Sequence, residues 1–375
     1  MKLIIAMNSA SRATLWRWPD SATARLRQQF PQVEFLTYLR PMDQPPSPAK
    51  RSADLGPRGP QVGASTSGTR AAGALGPAPT VDQPPSPAAL AEDAPLFADA
   101  DAVIAWRLDP RLLHAAPRLR WIHCPSAAVH QLLSPELVAS SVVVTNGASV
   151  HASTVAEHGL ALMLALARGL PQAVRDQDAH RWQPAPLAPS LTRLDGATAL
   201  LLGLGHIGAA LAPRLAALGM SVLGVRRHPD RPVPGCAELH PPEALDALLP
   251  RADYLVLALP ALASTAALIG APQLARLRPS ARVVNLGRGA ALDEAALLHA
   301  LRAGQLAAAA LDVFAHEPLA PDSPLWDCPR LLLTPHLAAA APDSWDRQAD
   351  LVAHHLRQFL AGLPLHPQVD KHRGY

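Results

Sequence analysis

Cysteine is scarce in this chain: three residues, Cys124, Cys236 and Cys328, scattered and odd in number. That excludes a disulfide framework and a CxxC motif, and it fits a reducing compartment. Charge is sparse as well. Lys, Arg, Asp and Glu make up 17% of the residues, the formal net charge is +3, and no long run of Lys or Arg occurs. Neither nucleic acid nor a membrane surface is therefore expected as a partner. Long apolar runs are missing too. Leu3–Met7 is far too short for a signal-peptide core, and the longest stretch, around Tyr254–Gly270, is interrupted by Pro260, Ser264 and Thr265 and cannot span a bilayer. No HExxH and no clustered Cys/His spacing supports a metal, and His354–His355 lie in a helical stretch among polar residues. The expectation is a soluble cytoplasmic protein without a metal, and 375 residues, 49% of them hydrophobic, are enough for two domains and a sizeable core.

Proline, by contrast, is abundant, with 40 residues. From about Met42 to Glu92 Pro, Gly, Ser and Ala dominate, and no helical or alternating period survives. Such a segment cannot bury enough apolar surface to offset its ordering entropy. Within it the heptapeptide DQPPSPA occurs twice, at Asp43–Ala49 and Asp82–Ala88. Removing one copy with the residues between joins LRPMDQPPSPA to ALAEDAPLFADADAVIAW, an ordinary linker into a strand. The direct repeat thus reads as the two ends of an insertion without a function of its own. The rival reading takes Pro45–Pro48 as a PxxP polyproline ligand.

Outside residues 43–92 the pattern is regular. Lys2–Met7, Val33–Leu39, Asp101–Trp106, Leu119–Cys124 and Val142–Asn146 read as short buried strands, and Ser153–Leu170 as a long helix with Ser153 or Thr154 as N-cap and Gly169 near its end. ATALLLGLG, MSVLGVR, DYLVLALP, ARVVNLG, AAAALDVF and RLLLTPH follow as further strands separated by helix-length segments. Strands alternating with helices predict an α/β fold of two doubly wound parallel-sheet domains, interrupted by a disordered Pro/Gly-rich insert. The first domain spans 1–148 and the second 149–335. A C-terminal segment, 336–375, with a helix over Ala341–Ala361, returns to the first.

In ALLLGLGHIGAALAPRLAALG the residues Gly203, Gly205 and Gly208 have GxGxxG spacing after an apolar strand and at a helix start. The first glycine permits a tight turn, the second lets a diphosphate approach the backbone, and the third lets helix and strand pack closely. The helix N-terminus, with His206 and Ile207, turns unpaired N–H groups and a positive dipole toward the phosphates. Pro213 should kink this helix. After the next strand, where an NAD site usually carries an acid, stand Arg226 and Arg227. Guanidinium groups pair with the extra phosphate of NADP, so NADPH is the expected cofactor, with NADH possible; solvated surface arginines are the plain alternative.

Arg288, Glu317 and His336 each stand at or just past the end of a strand, where open α/β sheets bind ligands. An arginine, a carboxylate and a histidine arriving there suggest a carboxylated carbonyl substrate and a proton carrier. The motifs that carry them, GRG, DVF–EP and TPH, in this order and with the ending DSPLWDCPRLLLTPHLAA…VDKHRGY, resemble the D-isomer-specific 2-hydroxyacid dehydrogenases, and within them the glyoxylate/hydroxypyruvate reductase branch. The resemblance covers about Asp99 to Tyr375 well, Met1–Met42 weakly, and the insert not at all.

The resemblance implies a flavodoxin-like substrate domain, a Rossmann dinucleotide domain and a homodimer. It implies that Arg288 grips the substrate carboxylate and carbonyl. His336 would pass a proton to the carbonyl oxygen as hydride arrives, and Glu317 would hydrogen-bond the imidazole and favour its charged form. Pro260 and Thr265 match a loop flanking the cofactor, and Asp312 a residue near the nicotinamide. Ala127 and Ala128, in SAAVH, occupy a loop whose backbone N–H groups bind the carboxylate in relatives; glycine is usual there, and His130 replaces a commonly acidic position. The expected activity is NADPH-preferring reduction of small 2-oxo acids, glyoxylate and hydroxypyruvate, to 2-hydroxy acids. Two alternatives stay open: reduction of bulkier 2-oxo acids, and a non-catalytic NAD(P)-sensing interaction protein like the corepressors that share this fold.

Overall fold

Continuous apolar tetrapeptides such as AVIA and WIHC lack the polar alternation of a strand with one wet face, so they must be buried on both sides. The structure, a computed structural model, describes residues 1–7, 18–39 and 93–374; the insert reading and both copies of the repeat lie outside them. The short apolar runs assemble into two sheets, all of whose neighbouring strands are parallel. The first holds β1 (Lys2–Met7), β2 (Glu34–Leu39), β3 (Ala102–Ala105), β4 (Trp121–Cys124) and β5 (Val143–Asn146), in the order β2-β1-β3-β4-β5. The second holds β6 (Thr198–Leu202), β7 (Ser221–Val225), β8 (Glu238–His240), β9 (Tyr254–Leu257), β10 (Arg282–Asn285), β11 (Ala308–Leu311) and β12 (Leu331–Leu333), in the order β12-β11-β10-β9-β6-β7-β8.

Both faces of each sheet are covered, as parallel sheets require. On one face of the first, Leu3, Ile5 and Trp121 pack against Leu26 from the helix Asp20–Gln29 and against Val352 and Leu356 from the helix Ser344–Leu360. The C-terminal helix thus lies on the sheet formed by the start of the chain. The other face packs Ile4, Val103 and Ile122 on Phe97, Leu112 and Leu137. In the second sheet Leu201, Val222 and Val256 meet the helices Ala152–Ala167 and His206–Ala217 on one side, while Leu200, Leu255 and Val283 meet Leu245, Leu274, Leu297 and Leu301 on the other.

Two details depart from the sequence reading. Strand β8 was not expected; it has three residues, all half-buried, too short a run to register as apolar. The long helix covers Ala152–Ala167 with His151 at its N-cap, rather than Ser153 or Thr154. The Ser153 hydroxyl instead donates to Glu157 Oε1 at 3.1 Å and accepts from Arg214 Nη2 at 2.6 Å. Pro213 lies inside the helix His206–Ala217, which continues for a further turn. Gly235, at φ +83°, brings its Cα so close that a Cβ would stand 2.5 Å from Pro213 Cα, so the proline ring is packed against backbone that only glycine supplies.

In the second sheet β6 is central, with β7 on one side and β9 on the other. The connections leave β6 and β9 in opposite directions, which opens a crevice beyond their carboxyl ends.

Candidate active site

The turn after β6 fits the chemistry of the three glycines. Gly203 has φ +96°, and a Cβ there would meet Ala258 O at 2.6 Å, so only glycine turns this corner against the end of β9. A Cβ on Gly208 would meet Gly203 O at 2.2 Å, which is the close helix-to-strand approach. At Gly205, the N-cap, a Cβ would meet nothing within 4 Å. Its backbone therefore faces open space where a diphosphate can approach the first turn of the helix, His206 and Ile207 included. These features fit a dinucleotide without needing any rearrangement. Arg226 and Arg227 follow β7; Arg226 N–H donates to His240 O at 3.0 Å, so the unexpected strand β8 sets the course of that loop. Thr265 Oγ1 donates to Pro260 O at 2.7 Å, which folds the loop after β9 onto itself.

Beyond β10 the segment Gly287–Arg288–Gly289 is wedged between two neighbours. A Cβ on Gly287 would stand 2.6 Å from both Leu259 N and Leu259 O, and one on Gly289 1.8 Å from the Phe314 carbonyl carbon. The Asn285 amide closes the turn, accepting from Gly287 N at 3.1 Å and donating to Arg288 O at 3.1 Å. The two glycines thus let a half-buried arginine lie between the ends of β9 and β11. Burial lowers the Arg288 pKa, and the Glu317 carboxylate opposes that.

His336 closes the turn after β12 with φ +49°, a left-handed conformation uncommon outside glycine. Its Nδ1 lies 2.6 Å from Glu317 Oε2, and Phe314 N–H donates to Glu317 Oε1 at 2.9 Å. Burial alone would raise the Glu317 pKa; the hydrogen bonds from His336 and Phe314 and the charges of His336 and Arg288 outweigh it and hold the carboxyl below its ordinary value. With Nδ1 committed to Glu317, Nε2 is the nitrogen left to meet a substrate.

A cavity of about 860 Å³ runs between the two sheets. Arg288, Glu317, His336 and Asp312 all line it, joined by Ile207 from the dinucleotide helix and by Trp106, Arg107, Ser126 and Ala127 from the first sheet's carboxyl edge. Ala128, expected beside Ala127, does not line it, and its N–H is taken by Ser126 Oγ at 3.0 Å. Asn146 Nδ2 donates to Ala127 O at 3.1 Å and holds the same loop from β5. Burial, then the charges of Arg288 and Arg107, keep the pKa of His130 down.

Asp312 lies at the end of β11, 1% exposed, and both its oxygens are engaged by the turn that carries His336. Oδ1 accepts from the Thr334 hydroxyl at 2.7 Å and from Leu337 N at 3.1 Å, and Oδ2 from Ala338 N at 3.0 Å. The sequence motif marked Asp312 as a cofactor neighbour; its side-chain hydrogen bonds are with the histidine's own loop. Ser126, the first residue of SAAVH, lines the cavity, as do Trp106 and Arg107, which the sequence reading did not mark. Their signal, a polar or aromatic residue just past the end of a strand of the first sheet, was there to be read.

Comparison with known proteins agrees with this geometry. The family described as D-isomer specific 2-hydroxyacid dehydrogenase, NAD binding domain, matches residues 160–338. A D-3-phosphoglycerate dehydrogenase of Mycobacterium tuberculosis is 37% identical over 269 residues, which is 70% of this chain and 50% of the relative. The chain thus spans about half the length of the phosphoglycerate dehydrogenases it matches. The glyoxylate/hydroxypyruvate reductase B of Pectobacterium atrosepticum is 37% identical over 265 residues, 67% of this chain and 80% of that protein. Among solved structures, an NADPH-dependent glyoxylate/hydroxypyruvate reductase from Sinorhizobium meliloti, in complex with NADP and sulfate, superimposes with a TM-score of 0.71 and 26% identity, covering 100% of both chains.

Proposed function

This chain belongs to the D-isomer-specific 2-hydroxyacid dehydrogenases, and we propose that it reduces small 2-oxo acids, glyoxylate and hydroxypyruvate first, to 2-hydroxy acids with NADPH. The observation that carries the reading is the His336–Glu317 hydrogen bond of 2.6 Å in the same cavity as Arg288. In this reading Arg288 binds the substrate carboxylate and draws on the carbonyl oxygen, where a fixed fork of donors outperforms a lysine. The bound nicotinamide supplies the hydride. His336 gives its Nε2 proton to the carbonyl oxygen, and Glu317 steadies the charged imidazole before that transfer. Ser126 and Ala127 close the substrate side. A protein that only senses nucleotide has no need of this proton donor.

Arg226 and Arg227 support the NADPH preference, because guanidinium pairs with a phosphate that a carboxylate would repel. Pro260 and Thr265 would flank the same cofactor. The exposed apolar side chains Leu170, Val174 and Trp182, close together in the sequence, support a homodimer. The free cysteines Cys124, Cys236 and Cys328 support a cytoplasmic setting. The size of the cavity and its Trp106 and Trp326 walls favour one second reading, a bulkier 2-oxo acid as substrate.

The test follows nicotinamide oxidation with glyoxylate, hydroxypyruvate and an aryl 2-oxo acid, each with NADPH and with NADH. Turnover of the small acids with NADPH, lost in His336→Ala, is expected. Turnover of the aryl acid alone would favour the second reading. Tight NADPH binding without any turnover would overturn the enzymatic one.

A further inference from the structure

The helix Ala152–Ala167 begins where the chain crosses from the first sheet to the second, and it is seated very close to β10. Gly159 faces Leu286, the residue after β10; a Cβ there would stand 2.3 Å from Leu286 Cδ1, the tip of that side chain. The residue before Gly159, His158, reaches the turn between β12 and His336. Its Nε2 lies 3.0 Å from Thr334 Oγ1 and 3.5 Å from Asp312 Oδ1, and the side chain is only 18% exposed. The Thr334 hydroxyl has one proton and donates it to Asp312 at 2.7 Å. At His158 it must therefore accept, which places a proton on Nε2 of His158.

We propose that His158 is a positioning residue for His336. It acts through Thr334 and Asp312, the two groups that hold the left-handed turn on which His336 stands. The turn is pinned at both ends. Upstream, Thr334 N donates to Leu311 O at 2.9 Å and its hydroxyl to Asp312; downstream, Leu337 N and Ala338 N donate to the same carboxylate. Between the two stands His336 at φ +49°, a conformation that persists only where the surroundings over-determine it. His158 supplies the donor that fixes the Thr334 hydroxyl, so that its proton points at Asp312 alone. Without it the hydroxyl can rotate, and Asp312 loses a firm partner while remaining buried. The same helix also packs on β10, the strand that leads to Arg288. Misplacing the proton donor by about 1 Å can cost roughly 100-fold in rate.

The proposal rests on His336 as the proton donor, and the experiment separates the two. His158→Phe keeps a ring of similar size without a donor, and His158→Gln restores an N–H at similar reach. With the best 2-oxo acid substrate, the expected result is a fall in kcat of about tenfold to 100-fold for Phe with KM and NADPH affinity within about threefold, and recovery to within about fivefold for Gln. Thr334→Val should lower kcat similarly, and the double variant should be no worse than either single one, because all three break one chain. Amide hydrogen exchange of Leu337 and Ala338, which needs no substrate, should quicken about tenfold in His158→Phe. Unchanged kcat and unchanged exchange in His158→Phe would overturn the proposal, as would additive losses in the double variant. Absence of turnover in the unmodified enzyme would count against the proton-donor reading, and the exchange rates would still decide whether His158 holds the turn.

Discussion

Glu317 holds His336 by Oε2 at 2.6 Å while its other oxygen is held by the Phe314 N–H at 2.9 Å, so the imidazole is aimed by a carboxylate that is itself fixed to backbone. Glu317→Gln preserves the shape and removes the charge. Its amide can still accept from Phe314, but the NH₂ group then faces His336 Nδ1, which must become an acceptor, and the charged ring loses its counterion. A fall in kcat of about 10² to 10³-fold is expected, with cofactor affinity unchanged. Because the Glu317 pKa lies below the ordinary carboxylate value, the anion outlasts a typical glutamate on acidification. Any loss of activity due to Glu317 protonation therefore belongs below the ordinary carboxylate range. A Gln variant with full activity, or a profile whose acid limb near pH 6 disappears in that variant, would refute this role.

The glycine loop yields a pair of opposite outcomes. At Gly208 a Cβ would stand 2.2 Å from a backbone oxygen, which cannot move aside. Gly208→Ala should lose about 1–3 kcal/mol of stability, read by denaturant unfolding. At Gly205 a Cβ enters open space and φ is −75°, which alanine accepts. Gly205→Ala should unfold within about 1 kcal/mol of the parent, yet bind NADPH at least tenfold more weakly, because the methyl group occupies the approach of the diphosphate. Equal effects on both properties at both positions would remove the distinction between packing and ligand space.

Much of this was legible in the sequence because parallel strands buried on both faces are written as unbroken apolar runs, and because the ends of those runs carry the chemistry. Strand β8 was not legible: ELH has one apolar residue and gains its place only by pairing with β7. Asp312 could be marked as important, but its attachment to Leu337 and Ala338 is a property of the folded turn. His158 was invisible for another reason. Among sixteen histidines nothing local separates it from the rest; the distinction comes from Thr334, 176 positions away.

The duplicated DQPPSPA offers a sequence-level prediction. Deleting Asp43–Val81 leaves one copy of the heptapeptide and rejoins a plausible linker. Turnover and unfolding free energy should change little, within about twofold and 1 kcal/mol, since long insertions at a linker cost little closure entropy. A collapse of either property would show that the repeat marks something the fold requires.

A buried pair of histidines predicts how the protein fails in acid. His123, on β4, and His355, on the inner face of the C-terminal helix, are both 0% exposed, with ring centroids 5.7 Å apart and Trp121 against both. His123 Nδ1 lies 2.8 Å from Thr145 Oγ1 and its Nε2 2.7 Å from Gln348 Nε2, so the neutral ring donates to the threonine and accepts from the amide. A second proton would face the amide's own N–H. Burial lowers the pKa of His355 from 6.5 to about 4, and that of His123 lies well below 6.5 for the same reason, with His355 adding to it. Groups whose folded pKa is depressed bind protons in the unfolded chain first, so stability is complete above the unfolded value and drains away as pH falls from about 6.5 toward 4. The His355 share is on the order of 3 kcal/mol once the pH is below both values. Urea unfolding at pH 7.5 and pH 5 should show the drop, and His355→Met should shrink it while leaving NADPH binding unchanged. If the two proteins lose stability equally on acidification, the labile groups lie elsewhere, and the clasp between the C-terminal helix and the first sheet is not where acid opens the molecule.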